Sequence, residues 1–336
     1  MNNIPFNKPY LTGKEAHYIY QAVYSGKISG DEVIMPSYTF VSTANAFVLR
    51  GAKIIFCDSR IDHPGMDESQ IEALITLKTK AIVVVHYAGV ACDMDLVMDI
   101  ANRHNLYVVE DAAQAIDSYY KGRPLGGIGH LAAFSFHETK NIISGEGGML
   151  VVNAPEFAKR AEIIWEKGTN RSAFFRGEVD KYSWVDVGSS FLPSELISAF
   201  LYAQLENLDD IQKRRKQHWG QYESELKAAN LTGIQLPQLP PFASNNAHMF
   251  YLLCESSQFR EGLIDHLKTS GVYAVFHYLS LHKSPFYLNK HDGRELPETD
   301  RYSENLVRLP LYYQLEANQI TKITQLIIQF CNSYHN

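Results

Sequence analysis

The chain has 336 residues, 46% of them hydrophobic and 20% charged, which is enough for one large α/β domain and a smaller one. A net charge of −6 removes the electrostatic case for nucleic acid or an anionic membrane surface, and no apolar run reaches the length of a membrane span. Cys57, Cys92, Cys254 and Cys331 are scattered without CxxC pairing, and Asn2, Asn3 and Asn7 stand where a leader would be basic and then apolar; reduced thiols, no metal site and a cytoplasmic location are expected.

Residues 4–10 read as extended around Pro5 and Pro9. Ala16, Ile19, Tyr20 and Val23 give helical spacing over Gly13–Ser25, with Thr12 as N-cap and a turn at Gly26–Gly30. Asp31–Pro36 reads as a short strand, followed by a helix opening at Ser42, Thr43 and Asn45 with Ala44, Phe47 and Val48 inward. Ala52–Cys57 predicts a strand, Glu68–Leu77 a helix, and Ala81–His86 a strand covered on both faces. A helix over Asp95–His104, strands at Leu106–Val109, Leu131–Phe136 and Gly147–Asn153, and a turn or hairpin at Lys121–Gly127 follow. This alternation predicts βαβ units with right-handed crossovers, hence a mostly parallel sheet flanked by helices.

Residues 165–190 read as a polar and aromatic loop region. From Ser194 a long helix runs past Leu208 toward Trp219, and its basic run Lys213-Arg214-Arg215-Lys216 reads as a solvated face. Pro237, Pro240 and Pro241 mark loop before a small α+β C-terminal domain. Its strands are placed at His248–Cys254 and Val272–His277 around a helix at Phe259–Ser270, and a last helix covers Glu316–Tyr334. The division falls at 1–215 and 216–336.

Two apolar runs break off into polar residues: Val108-Val109-Glu110-Asp111-Ala112-Ala113-Gln114, and Ala133-Phe134-Ser135-Phe136-His137-Glu138-Thr139-Lys140-Asn141. In an open parallel sheet the ligand crevice lies at the carboxyl ends of the strands, so Asp111 and Lys140 reach the same edge. A carboxylate and an amine placed so suit pyridoxal phosphate (PLP), which needs a Schiff-base lysine and an acid that keeps its pyridine nitrogen protonated. Spacing alone favours Asp111 as a helix cap and Lys140 as a solvated surface lysine, since short motifs are weak evidence.

The motifs decide between these readings. Glu110-Asp111-Ala112-Ala113-Gln114, Phe134-Ser135-Phe136-His137-Glu138-Thr139-Lys140-Asn141 and Gly145-Glu146-Gly147-Gly148 resemble the DegT-type sugar aminotransferases, PLP enzymes of fold type I. Pro36-Ser37-Tyr38-Thr39-Phe40-Val41-Ser42-Thr43-Ala44-Asn45-Ala46-Phe47 and the His-Glu-Thr-Lys-Asn wording bring the chain nearest the subgroup that makes dTDP-4-amino-4,6-dideoxygalactose. The resemblance runs from Ile4-Pro5-Phe6-Asn7-Lys8-Pro9 to Arg308-Leu309-Pro310-Leu311. It implies transamination between glutamate and a nucleotide-linked 4-keto-6-deoxy sugar, in a homodimer whose subunits share their sites. Lys140 would be the catalytic lysine, Asp111 the pyridine partner, Gln114 the ring-hydroxyl partner, Ser135 and Ser190 phosphate ligands and Phe40 the stacking aromatic. Arg171, Arg176, His277, Tyr278 and His282 would lie near the sugar nucleotide.

The chain also departs from the family. Between Gly30 and Asp31, members usually carry a helix, the first strand of the large sheet and a phosphate-gripping turn, roughly forty residues by ordinary element lengths. That turn would lend backbone N–H groups at a helix N-terminus. Ser190 stands for the usual Asn, and Leu192 for the usual Arg. A catalytically impaired remnant therefore remains an alternative. A dehydratase of the same family would carry His for Lys140, and a nicotinamide-linked oxidoreductase would show a glycine fingerprint absent here.

Overall fold

The computed structural model describes residues 30–334. The extended stretch 4–10 and the helix expected over Gly13–Ser25 lie outside them.

The first strands are continuous apolar runs, and they assemble as such runs must, with both faces covered. β1 (Glu32–Pro36), β2 (Lys53–Cys57), β3 (Thr79–Val85), β4 (Tyr107–Asp111), β7 (Leu131–Ser135) and β8 (Gly148–Val152) form one sheet in the order β2-β1-β3-β4-β7-β8. β5 (Tyr119–Tyr120) and β6 (Arg123–Pro124) make the expected hairpin apart from it. The sheet is parallel except for β8, which runs antiparallel to β7 with Ser135 opposite Gly148. Among the described residues β8 is an edge, with β7 its one ladder partner.

Alternation along the strands divides the core. Val33, Met35, Ile54, Phe56, Val83 and Val109 pack on one face with Ala44 and Phe47 of α1 (Val41–Val48). Ile34, Ile55, Ile82, Val84 and Val108 pack on the other with Val97, Ile100 and Ala101 of α2 (Met94–His104). Asp93 caps α2 by accepting from the Leu96 amide, and Asn105 closes it in the left-handed region.

α3 (Ala158–Trp165) leads into the region read as loop, and the one-turn α4 (Arg171–Phe175) interrupts it. α5 (Glu195–Glu206), capped by Ser194, and α6 (Leu208–Ala229) replace the single long helix expected there. The break is at Asn207, whose side chain donates to the Ala203 carbonyl of the preceding turn. α6 runs unbroken through residues 215 and 216. The second sheet, β11-β12-β10-β9, joins β9 (Ile234–Gln235), β10 (Phe250–Cys254), β11 (Val275–Phe276) and β12 (Leu306–Leu309), all antiparallel. α7 (Ser257–Thr269), α9 (Ala317–Tyr334) and α6 cover one face of it through Phe259, Leu263, Ile323, Ile327 and Trp219, while α8 (Pro297–Asn305) leads into β12. Its other face meets the large sheet in a seam of Tyr38, Tyr87, Met249, Tyr251, Tyr302 and Leu306.

Two expectations need correction. Glu68–Leu77 is not a helix but two single 3₁₀ turns, Glu68–Gln70 and Glu72–Leu74. Ile71 is buried with Leu74 and Ile75 packed behind it, but Leu77 is fully exposed and Glu68 is drawn inward, so the apolar face is too short to carry a helix of this length. Side chains hold it instead: Glu68 accepts from the Asp93 amide, and Thr76 donates to Glu32. The basic run on α6 is not wholly solvated either. Lys213, Arg214 and Lys216 are exposed, but Arg215 is buried and donates to the carbonyls of Ala247 and His248.

Candidate active site at the carboxyl edge of the large sheet

Asp111 ends β4 beside the N-terminal turns of α1. Its Oδ2 accepts from Thr43 Oγ1 at 2.6 Å and its Oδ1 from the Ala113 amide at 3.1 Å. Because the Thr43 proton goes to the carboxylate, the 3.0 Å contact between Thr39 and Thr43 is donated by Thr39. These two donors fix the orientation of the Asp111 carboxyl at the strand end.

Three residues on, Gln114 Oε1 accepts from the Ala88 amide at 2.6 Å, which aims its NH₂ at the Tyr278 hydroxyl, 2.9 Å away. Tyr278 holds this place with a left-handed backbone, φ 50°, that an aromatic residue rarely adopts. Its ring faces Phe40 at 6.0 Å and stacks on His277 at 3.6 Å. Phe40 is 39% exposed, an aromatic wall with an open side rather than a core residue.

Ser135 ends β7, the strand beside β4, and its Oγ accepts from the His137 amide at 3.3 Å. The chain then turns through His137, whose carbonyl accepts from the Lys140 amide. Lys140 lines a cavity of about 1210 Å³ between α6 and the small sheet, together with Arg215 and Arg308. Asp111, Gln114, Phe40 and Ser135 are not among its walls. Asn141 anchors the turn. Both its N–H protons are donated, to Gln212 Oε1 and the Asn246 carbonyl, leaving Oδ1 as the acceptor facing His248 Nδ1 at 2.9 Å. His248 therefore carries its proton on Nδ1. Burial holds His248 and His277 well below the ordinary imidazole range, and the charges of Lys140 and Arg308 push both the same way. Both are neutral at pH 7.

His277 Nδ1 meets the Tyr87 hydroxyl at 2.7 Å, and its carbonyl accepts from Tyr38. His282 belongs to a different cluster, bonded to Ser37 at 2.8 Å with Asp300 beyond. Arg171 lies over the Phe175 ring, and Arg176 is held by Glu162 at 3.0 Å and Glu178 at 2.7 Å. Ser190 is exposed and bridges Glu166. No contact among the described residues ties Arg171, Arg176 or Ser190 to Asp111, Gln114 or Lys140. Thr43, Tyr278's bond to Gln114, Asn141, His248 and Arg308 complete the site's frame. Of these only Tyr278 was singled out from sequence, and Asn141 was visible as the last residue of the lysine motif.

A parallel sheet offering a carboxylate held by two donors, an amide, an open aromatic wall and a lysine at its carboxyl edge fits pyridoxal phosphate, and defines an aminotransferase of fold type I. The chain belongs to the DegT/DnrJ/EryC1/StrS aminotransferase family, whose model matches residues 15–328. SpsC of Bacillus subtilis, a spore coat polysaccharide biosynthesis protein, is 32% identical over 307 residues, 89% of this chain and 78% of its own. Streptomyces venezuelae DesV, solved with a ketimine intermediate, superposes with a TM-score of 0.84 at 32% identity, over 95% of this chain and 82% of DesV. The PLP form of Spr1654 from Streptococcus pneumoniae, a putative sugar aminotransferase, gives 0.84 over 95% and 86%; at 24% identity it speaks for the fold alone. The family's aminotransferases are PLP-dependent. No helix among the described residues is long and apolar enough to cross a membrane.

Proposed function

We propose that this chain moves an amino group from glutamate to a nucleotide-linked 4-keto-6-deoxy sugar, turning dTDP-4-keto-6-deoxyglucose into dTDP-4-amino-4,6-dideoxygalactose. The product would feed a surface polysaccharide of the enterobacterial common antigen type, made in the cytoplasm by a homodimer. The observation that carries the reading is Asp111, held by Thr43 and the Ala113 amide at the end of β4, with Gln114 three residues on and the Lys140 turn following the neighbouring strand β7. The sugar and the C4 position rest on the Pro36–Phe47 and His137–Asn141 wording, and SpsC's role in polysaccharide synthesis agrees with the pathway class. Exposed Phe175, Trp184, Leu196 and Tyr202 support a subunit interface.

Bound pyridoxal phosphate supplies the electron sink. Asp111 would hold the proton on the ring nitrogen, Gln114 would meet the ring hydroxyl, Phe40 would cover one face, and Ser135 and Ser190 would take the phosphate. Lys140 Nζ takes the proton from the donor Cα and delivers it across the site; run in reverse on the keto sugar, the same proton traffic completes the exchange. Arg171, Arg176, His277, Tyr278 and His282 are assigned to the sugar-nucleotide side.

One observation favours a second reading. Among the described residues the large sheet ends at β8 with a bare edge, as it would if the segment usual between Gly30 and Asp31 were missing, and that segment would carry the phosphate-gripping turn. An impaired protein that serves only as a partner for an intact relative is the alternative. Purified protein given pyridoxal phosphate decides: a visible band, bleached by glutamate and fixed on Lys140 by borohydride, is expected. Colourless protein favours the alternative, and undiminished amino-sugar formation by Lys140→Ala overturns both.

A further inference from the structure

Asn246 lies in the stretch before β10 and is fully buried. Its Nδ2 donates to the carbonyls of Gln114 at 2.7 Å and Ile116 at 2.8 Å, and its Oδ1 accepts from the His248 amide at 3.0 Å. Its own carbonyl accepts from Asn141 Nδ2 at 2.9 Å and from Gln212 Nε2 of α6 at 3.3 Å. One residue therefore touches both loops that matter: the loop after β4 that carries Asp111 and Gln114, and the turn after β7 that carries Lys140. An amide is needed at this point, because two carbonyls and one N–H converge on it. A side chain with two donor protons and an acceptor satisfies all three, and an apolar one of the same size satisfies none.

The joint is closed from its other sides. Asn141, next in the chain to Lys140, accepts from His248, and the His248 amide is itself fixed on Asn246. Gly89 packs over the Asn246 amide with φ 77°, and a Cβ there would overlap Oδ1. The same turn supplies the Ala88 amide that holds Gln114 Oε1. Asn246 thus bears on Gln114 twice, on its carbonyl directly and on its side chain through the turn packed against it. Ala88 and Ala247 both sit in the left-handed region, at φ 57° and 51°. A residue with a side chain stays there only where its surroundings impose it.

We propose that Asn246 is a positioning residue of the amino-group exchange: it fixes the separation between Gln114 and Lys140. This rests on the transaminase reading given above. The side chain is wholly enclosed, so it meets no substrate and acts through the Gln114 loop and Asn141. Proton delivery by the Lys140 amine is steep in distance and angle, whereas substrate affinity is spread over many contacts. A loosened joint therefore lowers the rate of both halves of the exchange and leaves affinity nearly as it was.

The test compares the full chain with Asn246→Ala, Asn246→Ser and Asn246→Asp. Without cofactor, amide hydrogen exchange is followed by segment. In N246A the stretches 112–118 and 137–142 are expected to lose protection together, about tenfold, while 250–254 and 306–309 keep theirs. With pyridoxal phosphate, kcat is expected to fall about 10- to 100-fold in both half-reactions, with the KM for glutamate and for the nucleotide sugar within about threefold. N246D fills the same space but sets an oxygen against two carbonyls, so it should be no better than N246A; wild-type behaviour in N246D reduces the residue to a filler and overturns the proposal. Loosening of one stretch alone, exchange that rises alike everywhere, or two loosened stretches with kcat unchanged also overturns it. If N246A does not fold, N246S decides by the same readouts, and if neither folds the residue is a determinant of the fold and the proposal falls. Paired loosening in a protein that takes up no cofactor sinks the transaminase reading and leaves the joint; full cofactor uptake and turnover in every variant sinks this inference alone.

Discussion

Glu110 lies one residue before the candidate cofactor carboxylate and is fully buried. Burial by itself would raise its pKa; the His86 N–H at 3.0 Å and the amides of Gly126, Ile128 and Gly129 outweigh that and hold it below the usual carboxylate range. The charge is stabilising above the ordinary glutamate range and is lost as pH falls through the depressed value. Removing it strands His86 and three buried amides, so Glu110→Ala should cost about 3–5 kcal/mol in urea unfolding. Thr43→Val takes one donor from Asp111 and should weaken pyridoxal phosphate binding about tenfold in an absorbance titration, with little change in fold stability. Asp111 and Lys140 are legible in the sequence because each ends an apolar run at a strand terminus. Arg215 is not: a basic run looks alike whether its third member faces water or two carbonyls 32 and 33 residues away. Arg308 hides for the same reason, since its strand neighbours Val307 and Leu309 point to the opposite face.

Among the elements, the buried strands are where sequence reading succeeds, because β1, β3, β4 and β7 need apolar residues on both faces and leave no other interpretation for Ala81–Val85. The helices divide by the same criterion. α2 has an inward stripe of Val97, Ile100 and Ala101 and a capping aspartate, and falls where expected. Glu68–Leu77 has the composition of a helix and a short stripe of Ile71, Leu74 and Ile75, yet the bonds of Glu68 to the Asp93 amide and of Thr76 to Glu32 decide its path. Helical propensity likewise continues across Asn207, yet the chain bends there. α1 bears on function most directly, since it positions Phe40 and Thr43 and is pinned to the sheet by Phe47, which is fully buried. Phe47→Ala should cost about 3–5 kcal/mol, read as a lowered urea midpoint, and should loosen the cofactor with it.

For the whole molecule, the joint between the two sheets is polar beneath its tyrosines, and its histidines set the response to acid. His63, buried and near Arg60, is pushed down to about 3, and His248 and His277 lie well below the free imidazole. Above pH 6.5 neither the folded nor the unfolded chain protonates them, so they are neutral in the balance. Below it the unfolded chain binds protons that the folded one refuses, and stability falls by up to about 1.4 kcal/mol per pH unit for each. The urea midpoint should therefore drop between pH 6.5 and 4, and His63→Phe should flatten the slope.

Among the described residues the outer edge of β8 is unpaired, and an unpaired edge carries a liability of its own. A strand with one unsatisfied side, and a methionine at position 149 that is 44% exposed, is a template for any extended chain that drifts past. Stored at high concentration, the protein should recruit copies of itself into thioflavin-positive aggregates while each copy is still folded. A lysine placed at that position should delay their onset without moving the melting temperature, so the shelf life of a preparation would report on a single row of backbone amides.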